Sequence, residues 1–311
     1  MGRYILMRLL GFFAVLLAVS ALTFFLMHSV PGGPFDAKLG DKPIPQTTKD
    51  QLNHLYGLDK PIWQQYLIFL QNAVHLDFGY SYIYTNRKVL EIYMMQWPYT
   101  IQLALMTLVV GGTVGLFLGI MAAIYQNTWI DFSGTFIAMF CIVVPTFVLA
   151  VLMQFVFCVK LGWFPTGGWD SPIQWVLPVL TNSIVPIAVL QRFVRSSMVD
   201  VMNSNFVRTA RAKGVREQGV MITHVLRNAL SPVVTVGGPM IAGLITGSFF
   251  IESMFRIPGV GAYSVTAIQQ RDYTMIMATT MIWTTIISLT YLLTDISYAL
   301  IDPRVTFVKG K

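Results

Sequence analysis

Six long apolar runs, separated by shorter polar stretches, set the organisation of this chain. They lie at Leu9–Val30, Thr100–Ile124, Gly134–Cys158, Val176–Val194, Leu230–Ile251 and Met275–Leu300. Each approaches or exceeds the roughly 20 residues that an α-helix needs to cross a hydrocarbon core. The pattern predicts an all-α, polytopic membrane protein with six transmembrane helices. The fourth run is the weakest, because Pro178, Asn182 and Pro186 interrupt it, and the third is broken at Pro145. The fifth carries Gly237, Gly238, Pro239, Gly243 and Gly247. Small residues let helices pack closely in lipid, and Gly/Pro pairs mark helices that bend or unwind. Packing is the plain reading of these positions. A helix-lined path that opens and closes, with breaks at Pro145, Gly237, Gly238, Pro239 and Gly243, is the functional one.

Between the runs, "VPGGPFD" ends the first span in a turn that proline and glycine impose. The loop from Pro31 to Tyr99 has too few apolar residues for a core of its own. Thr47 or Thr48 is expected to cap a short helix stopping at Gly57, and a second helix is expected from Asp59, with Pro61 in its first turn, to about Val74. Trp63, Tyr66 and Phe69 on it suit a membrane interface. In the loop after the fifth run, Pro258, Gly259 and Gly261 impose a tight turn. Glu252 and Arg256, four apart, are expected to pair if their helix continues that far. The divisions that follow are 1–30, an N-terminal transmembrane helix, and 31–99, an extracellular loop with short interfacial helices. After them come 100–300, a transmembrane core containing a cytoplasmic segment at 200–229, and 301–311, a cytoplasmic tail.

Composition agrees: 55% of the 311 residues are hydrophobic, only 11% are charged, and mean hydropathy is +0.63. Arg3 and Arg8 before the first run resemble a signal peptide, but the run is too long and lacks a small-residue cleavage site, so it reads as a retained anchor. With both termini cytoplasmic, the inner segments hold twelve Lys/Arg against five acids and the outer loops nine of each, so the net charge of +7 lies inside. The inner loop Tyr125–Ser133 departs from this rule in having no basic residue.

Soluble-enzyme chemistry is excluded early. The chain has no phosphate-binding GxxxxGK[ST], no GxSxG and no HExxH. Its four histidines lack metal-ligand spacing, and Cys141 and Cys158 read as small residues of one apolar span. No catalytic, cofactor-binding or metal residue is assigned. An ion-coupled carrier needs ionisable groups near the bilayer midplane, and here they sit at span ends. The chain therefore reads as a pathway without an energy source of its own.

The segment "NSNFVRTARAKGVREQGVMITHVLRNAL", 203–230, holds Arg208, Arg211, Lys213, Arg216 and Arg227 against one acid, Glu217. A nucleic-acid patch would need stacking aromatics interleaved with the charges, and the segment has Phe206 alone. A topology signal would need only basic residues in any order. Docking is the third reading. Phe206, Ala210 and Gly214 recur at i, i+4 and i+8 as a narrow stripe, with Arg208, Thr209, Arg211, Ala212 and Lys213 around it and Glu217 nearby. Gly214 can end that helix, and a second helix from about Glu217 presents Met221 and Val225 on one face.

The same segment resembles the cytoplasmic coupling segment of ABC-importer permeases, whose E-A-A…G pattern falls here on Arg208, Thr209, Ala210 and Gly214. The form "RTARAKG" is typical of peptide permeases. "VPGGPF" (30–35), "YGLDKPIWQQY" (56–66), "LDFGYSY" (76–82), "QNTWIDF" (126–132), "ITGSFFIESMFRIPGVG" (245–261), "QRDY" (270–273) and "IDPR" (301–304) resemble the first inner-membrane subunit of oligopeptide permeases in the same order. The resemblance implies the transmembrane domain of a type I ABC importer for oligopeptides or dipeptides, in a bacterial or archaeal cytoplasmic membrane. It implies a second, homologous permease subunit as a heterodimer partner, two ABC ATPase subunits that use ATP and Mg, an extracellular substrate-binding protein, and no nucleic acid. Same-family permeases for nickel or glutathione, or a stand-alone carrier or channel, are the alternatives.

Overall fold

In the computed structural model, residues 2–36, 45–84 and 86–301 are described. The tail at 301–311, with most of the "IDPR" motif, falls outside them beyond Ile301. The described residues are helical, without a β-strand among them. They group into two compact units, one from Met1–Tyr99 with Pro258–Ser288 and one from Thr100–Ile257 with Leu289–Lys311.

The first unit is built from α1 (Gly2–Ser29), α2 (Gln46–Leu55), α3 (Ile62–Val74) and the start of α4 (Val89–Ile124). Its two apolar clusters are joined by aromatic residues of α3 and the loops. Phe24 and Met27 of α1 are buried in one, and Phe78, Val89 and Ile92 in the other. Neither short helix starts where side-chain signals suggested. Pro45 precedes α2 and Pro61 precedes α3, each with the extended backbone that fits the residue before a helix. Thr47 and Thr48 thus lie inside the first turn of α2, and Asp59 lies outside α3, where it bonds His54 at 3.0 Å. Gly57 ends α2 as expected, at φ 67°, with Leu58 N–H reaching Asn53 O at 2.8 Å.

The second unit contains α5 (Trp129–Val143), α6 (Thr146–Met153), a π-helical turn (Gln154–Lys160) and α7 (Pro172–Met202). After these come α8 (Asn205–Ala212), α9 (Glu217–Gly219), a second π turn (Val220–Leu226) and α10 (Arg227–Ala229). Next are α11 (Ser231–Ile245) and α12 (Phe249–Met254), after which the chain returns to the first unit with α13 (Val260–Gln269) and the start of α14 (Tyr273–Ile301). Among the described residues five helices are long and apolar enough to cross a membrane, and a sixth crossing exists if α5 and Thr146–Lys160 count as one span bent by 103°. That bend sits at Pro145. Proline disfavours helical geometry in the residue before it, and Val144 is extended at φ −73°, ψ 124°.

Prolines elsewhere do not break their helices. α7 runs unbroken through Pro178 and Pro186, which corrects the reading of the fourth run as interrupted. Two of its polar residues reach across to α4: Asn182 donates to Thr107 Oγ1 at 3.1 Å and Ser183 Oγ to Thr107 O at 3.4 Å. α11 likewise continues through Gly237, Gly238 and Pro239. The fifth run breaks later, between α11 and α12, where Gly247 takes φ 96°. Gly238 is a packing position, since a Cβ there would overlap Thr294, whereas Gly237 and Gly243 face open space. These three glycines and Pro239 are therefore not helix breaks.

The Glu252–Arg256 pair does not form either. α12 stops at Met254, Arg256 takes φ 51°, and Ile257 N–H closes the end on Glu252 O at 2.8 Å. Glu252 is fully buried and accepts from Thr100 Oγ1 at 3.1 Å and Ser248 N–H at 3.2 Å. Of the turn-forming residues that follow, Gly259 precedes α13 and Gly261 lies within it.

A glycine ridge that the expectations above do not use seats α4 on α7. A Cβ at Gly111, Gly115 or Gly119 would lie 2.7–2.8 Å from Pro186, Leu190 or Val194, while one at Gly112 would meet nothing within 4 Å. Spacing of four keeps the three glycines on one face, so two backbones approach closely there. Gly119→Ala should lower thermal stability in detergent by about 1–3 kcal/mol, the usual cost of overpacking. Gly112→Ala should leave it unchanged. Equal melting temperatures for the two variants would refute this packing.

Candidate functional site

The basic segment is a hairpin of short helices on the end of α7. α7 stops at Met202, and Ser204 turns the chain by donating its hydroxyl to Val201 O at 2.6 Å. α8 then begins with Arg208 N–H on Ser204 O at 3.3 Å. It ends at Ala212, with Lys213 as the capping residue and Gly214 at φ 78°. Gly214 N–H bonds Arg211 O at 3.0 Å and Val215 N–H bonds Ala210 O at 3.2 Å, the paired closure that a left-handed residue permits. The open space around Gly214 shows that backbone conformation, not crowding, requires glycine.

The predicted stripe of Phe206, Ala210 and Gly214 does not form one exposed face. Ala210 is buried beside Val207, three residues earlier, in a core that also holds Val194, Met198, Val220, Val225 and Ala229. Valine is the larger apolar residue and claims the inward face, which draws Ala210 with it. Ala210 is therefore an anchor to the chain's own body. Phe206 is 47% exposed, on the side of α8 away from that core. Arg208, Thr209, Arg211, Ala212, Lys213 and Gly214 are exposed with it.

Glu217 is bound to Arg211, whose Nε and Nη2 donate to its carboxylate at 3.1 and 2.6 Å. The guanidinium holds this exposed carboxyl below its ordinary range, mainly through the hydrogen bond. After Glu217 the chain follows π geometry, in which residues five apart share a face. Val220 and Val225 are accordingly both buried, in place of the expected face of Met221 and Val225.

Two ties above the hairpin were not anticipated. Asp131, buried in the first turn of α5, is bound by both Nε and Nη2 of Arg195 on α7, the latter at 2.7 Å to Oδ2. Its Oδ2 also accepts from Asn127 N–H at 3.0 Å. The loop Tyr125–Ser133 thus has its acid balanced by a cation from α7. One helical turn from α7's end, Ser197 Oγ donates to Ala229 O at 2.8 Å and closes the hairpin onto α7. In sequence, Asp131 and Arg195 were only two charges at span ends. Among the described residues no His, Cys, Asp and Glu cluster could hold a metal, and both cysteines are free.

The sequence profile described as "Binding-protein-dependent transport system inner membrane component" matches residues 115–307, and its N-terminal counterpart matches residues 1–104. Among relatives, the dipeptide transport system permease protein DppB of Lactococcus lactis is 41% identical over 308 residues, covering 98% of this chain and 99% of that one. The oligopeptide transport system permease protein OppB of Haemophilus influenzae is 34% identical over 309 residues, covering 99% and 100%. A crystal structure of an amino acid ABC transporter with histidines aligns at TM-score 0.56 and 13% identity, over 68% of this chain and 94% of that one, which is a likeness of fold.

Two outcomes test the hairpin. Gly214→Ala should loosen the end of α8 by about 1–2 kcal/mol, the cost of a left-handed backbone for a residue with a Cβ. Faster amide exchange at Gly214 and Val215 would register it, and Gly214→Asn should be milder. Because the Glu217 carboxyl is held low, its bond to Arg211 is complete at neutral pH and is lost as pH falls through that lowered value. Amide protection around Glu217 should therefore persist to below the ordinary titration range of a glutamate carboxyl, and a decline near neutral pH would contradict the pairing.

Proposed function

The chain belongs to the family of binding-protein-dependent transport system inner membrane components, and we propose from that premise that it is one permease subunit of an ATP-driven importer of dipeptides or oligopeptides. The partners are a second, homologous permease, two ATPase subunits that use ATP and Mg, and a binding protein that delivers peptide from outside. Both termini and α8 face the cytoplasm. The chain carries no catalytic site and supplies the path.

The observation that carries this reading is the division of α8 into two faces. Val207 and Ala210 are buried against the chain's own core, whereas Phe206, Arg208, Thr209 and Lys213 stay exposed. A short basic helix anchored on one side and offering a half-exposed aromatic on the other suits insertion into a groove of an ATPase subunit. Arg211 is exposed too, but its guanidinium is committed to Glu217. Movement of the ATPase pair would enter here and reach α7 as a rigid-body shift.

The interior supports the same reading. Asp131 and Glu252 are buried and engaged in fixed hydrogen bonds, which leaves neither as a shuttle for a coupling ion. Pro145, at the bend between α5 and α6, stays a pathway candidate.

Reconstitution with the ATPase subunits tests this. Phe206→Ala and Arg208→Glu should each lower ATP-driven dipeptide uptake by about tenfold or more, as loss of an interface anchor does, with insertion and α-helical content unchanged. Full peptide flux by this chain with the ATPase subunits and ATP withheld would refute the reading in favour of a stand-alone carrier.

A further inference from the structure

α7 is 31 residues long, which at 1.5 Å per residue is about 46 Å, whereas a hydrocarbon core is about 30 Å thick. Counted from Pro172, a crossing of roughly 20 residues ends near Arg192. At that level α5 and α7 border a cavity of about 550 Å³. Arg192, Arg195 and Ser196 of α7 and Thr135 of α5 form its polar end, and Met139, Ile142, Val189 and Phe193 form apolar walls.

The two arginines differ. Arg195 spends Nε and Nη2 on Asp131, so its charge is balanced within the protein. Arg192 is exposed and has no hydrogen bond or ion pair with any described residue. Arg192 and Ser196 are four apart on α7 and share a face. An uncompensated guanidinium at the edge of the hydrocarbon, beside a free hydroxyl and above apolar walls, calls for an anion attached to a hydrocarbon chain.

We propose that this cavity is a binding site for an anionic phospholipid of the leaflet on the side of the basic segment. Arg192 binds the headgroup phosphate through its paired N–H groups, and the Ser196 hydroxyl donates to the same phosphate. One acyl chain lies along Met139, Ile142, Val189 and Phe193. Arg195, through its bonds to Asp131, keeps α5 beside α7, so that the walls stay in place. The site does not depend on what the protein carries.

The test is retention of lipid by the full-length chain, purified with its associated subunits and read by native mass spectrometry after mixing with dioleoyl phosphatidylglycerol or dioleoyl phosphatidylcholine. Phosphatidylglycerol should be retained preferentially. Arg192→Gln should reduce that preference about fivefold, the effect of one basic residue near an anionic surface. Arg192→Lys should keep most of it, and Arg87→Gln, which removes an exposed charge from the other unit, should change nothing. Equal retention of both lipids, or equal loss in the Arg192 and Arg87 variants, would overturn the proposal. So would displacement of phosphatidylglycerol by millimolar inorganic phosphate, which would mean that the apolar walls hold no chain. Displacement by a dipeptide would also overturn it and would assign the cavity to cargo.

Discussion

The ion pair between Asp131 and Arg195 is the constraint on which the working end of this protein depends. Asp131 is 1% exposed, and removing one partner of such a pair leaves an uncompensated buried charge, at a cost of about 3–5 kcal/mol. The carboxylate therefore holds α5 against α7 at a fixed level. It does so with help from Asn127, whose left-handed backbone (φ 61°) points an N–H at the same oxygen that Arg195 Nη2 uses. Seven residues after Arg195, α7 ends and the hairpin begins. The pair thus sets the α5–α7 surface, and α8 hangs from the same end of α7.

Whether a proline breaks a helix here is decided by what the neighbouring helix offers. At Pro145 the preceding Val144 leaves helical geometry, and the span bends by 103°. Pro186 sits instead where Gly111 brings α4 against its ring, one turn from the bond between Asn182 and Thr107. Pro186 removes a backbone hydrogen bond, yet close packing and the side-chain bond to α4 hold this part of α7 in place. The interruptions at Pro178, Asn182 and Pro186 make α7 read as the weakest span in sequence. Packing makes it the central one.

The apolar runs were legible because length and hydropathy together leave few alternatives to a membrane-crossing helix. Gly214 was legible as a helix end for a similar reason: glycine alone adopts a left-handed backbone without strain. The end of α12 was not, because Arg256 takes that conformation without being glycine. Ala210 was misplaced because a spacing of four ignored Val207, and burial follows the larger side chain. The Gly111–Gly115–Gly119 ridge was present as a repeat of small residues, but nothing in the sequence says that α7 is the helix it meets. Asp131 and Arg195 are 64 residues apart, and their pairing depends on the path of the chain between them.

α8 has eight residues, too few for a helix to persist alone in water, where about 12–15 are needed even for favourable sequences. Its order must come from its attachments, and it has them at both ends and along one side. Ser204 ties its start to Val201, the turn at Gly214 ties its end to Ala210, and Val207 and Ala210 sit in the core beneath. The returning strand of the hairpin closes on α7 through Ser197 and Ala229. On the proposed reading, a load applied at Phe206 or Arg208 meets these attachments first. It passes into Val194 and Met198 of α7, and through Arg195 to α5. The exposed side of α8 can therefore change its side chains to suit an ATPase, provided that Val207, Ala210 and the backbone of Gly214 are kept.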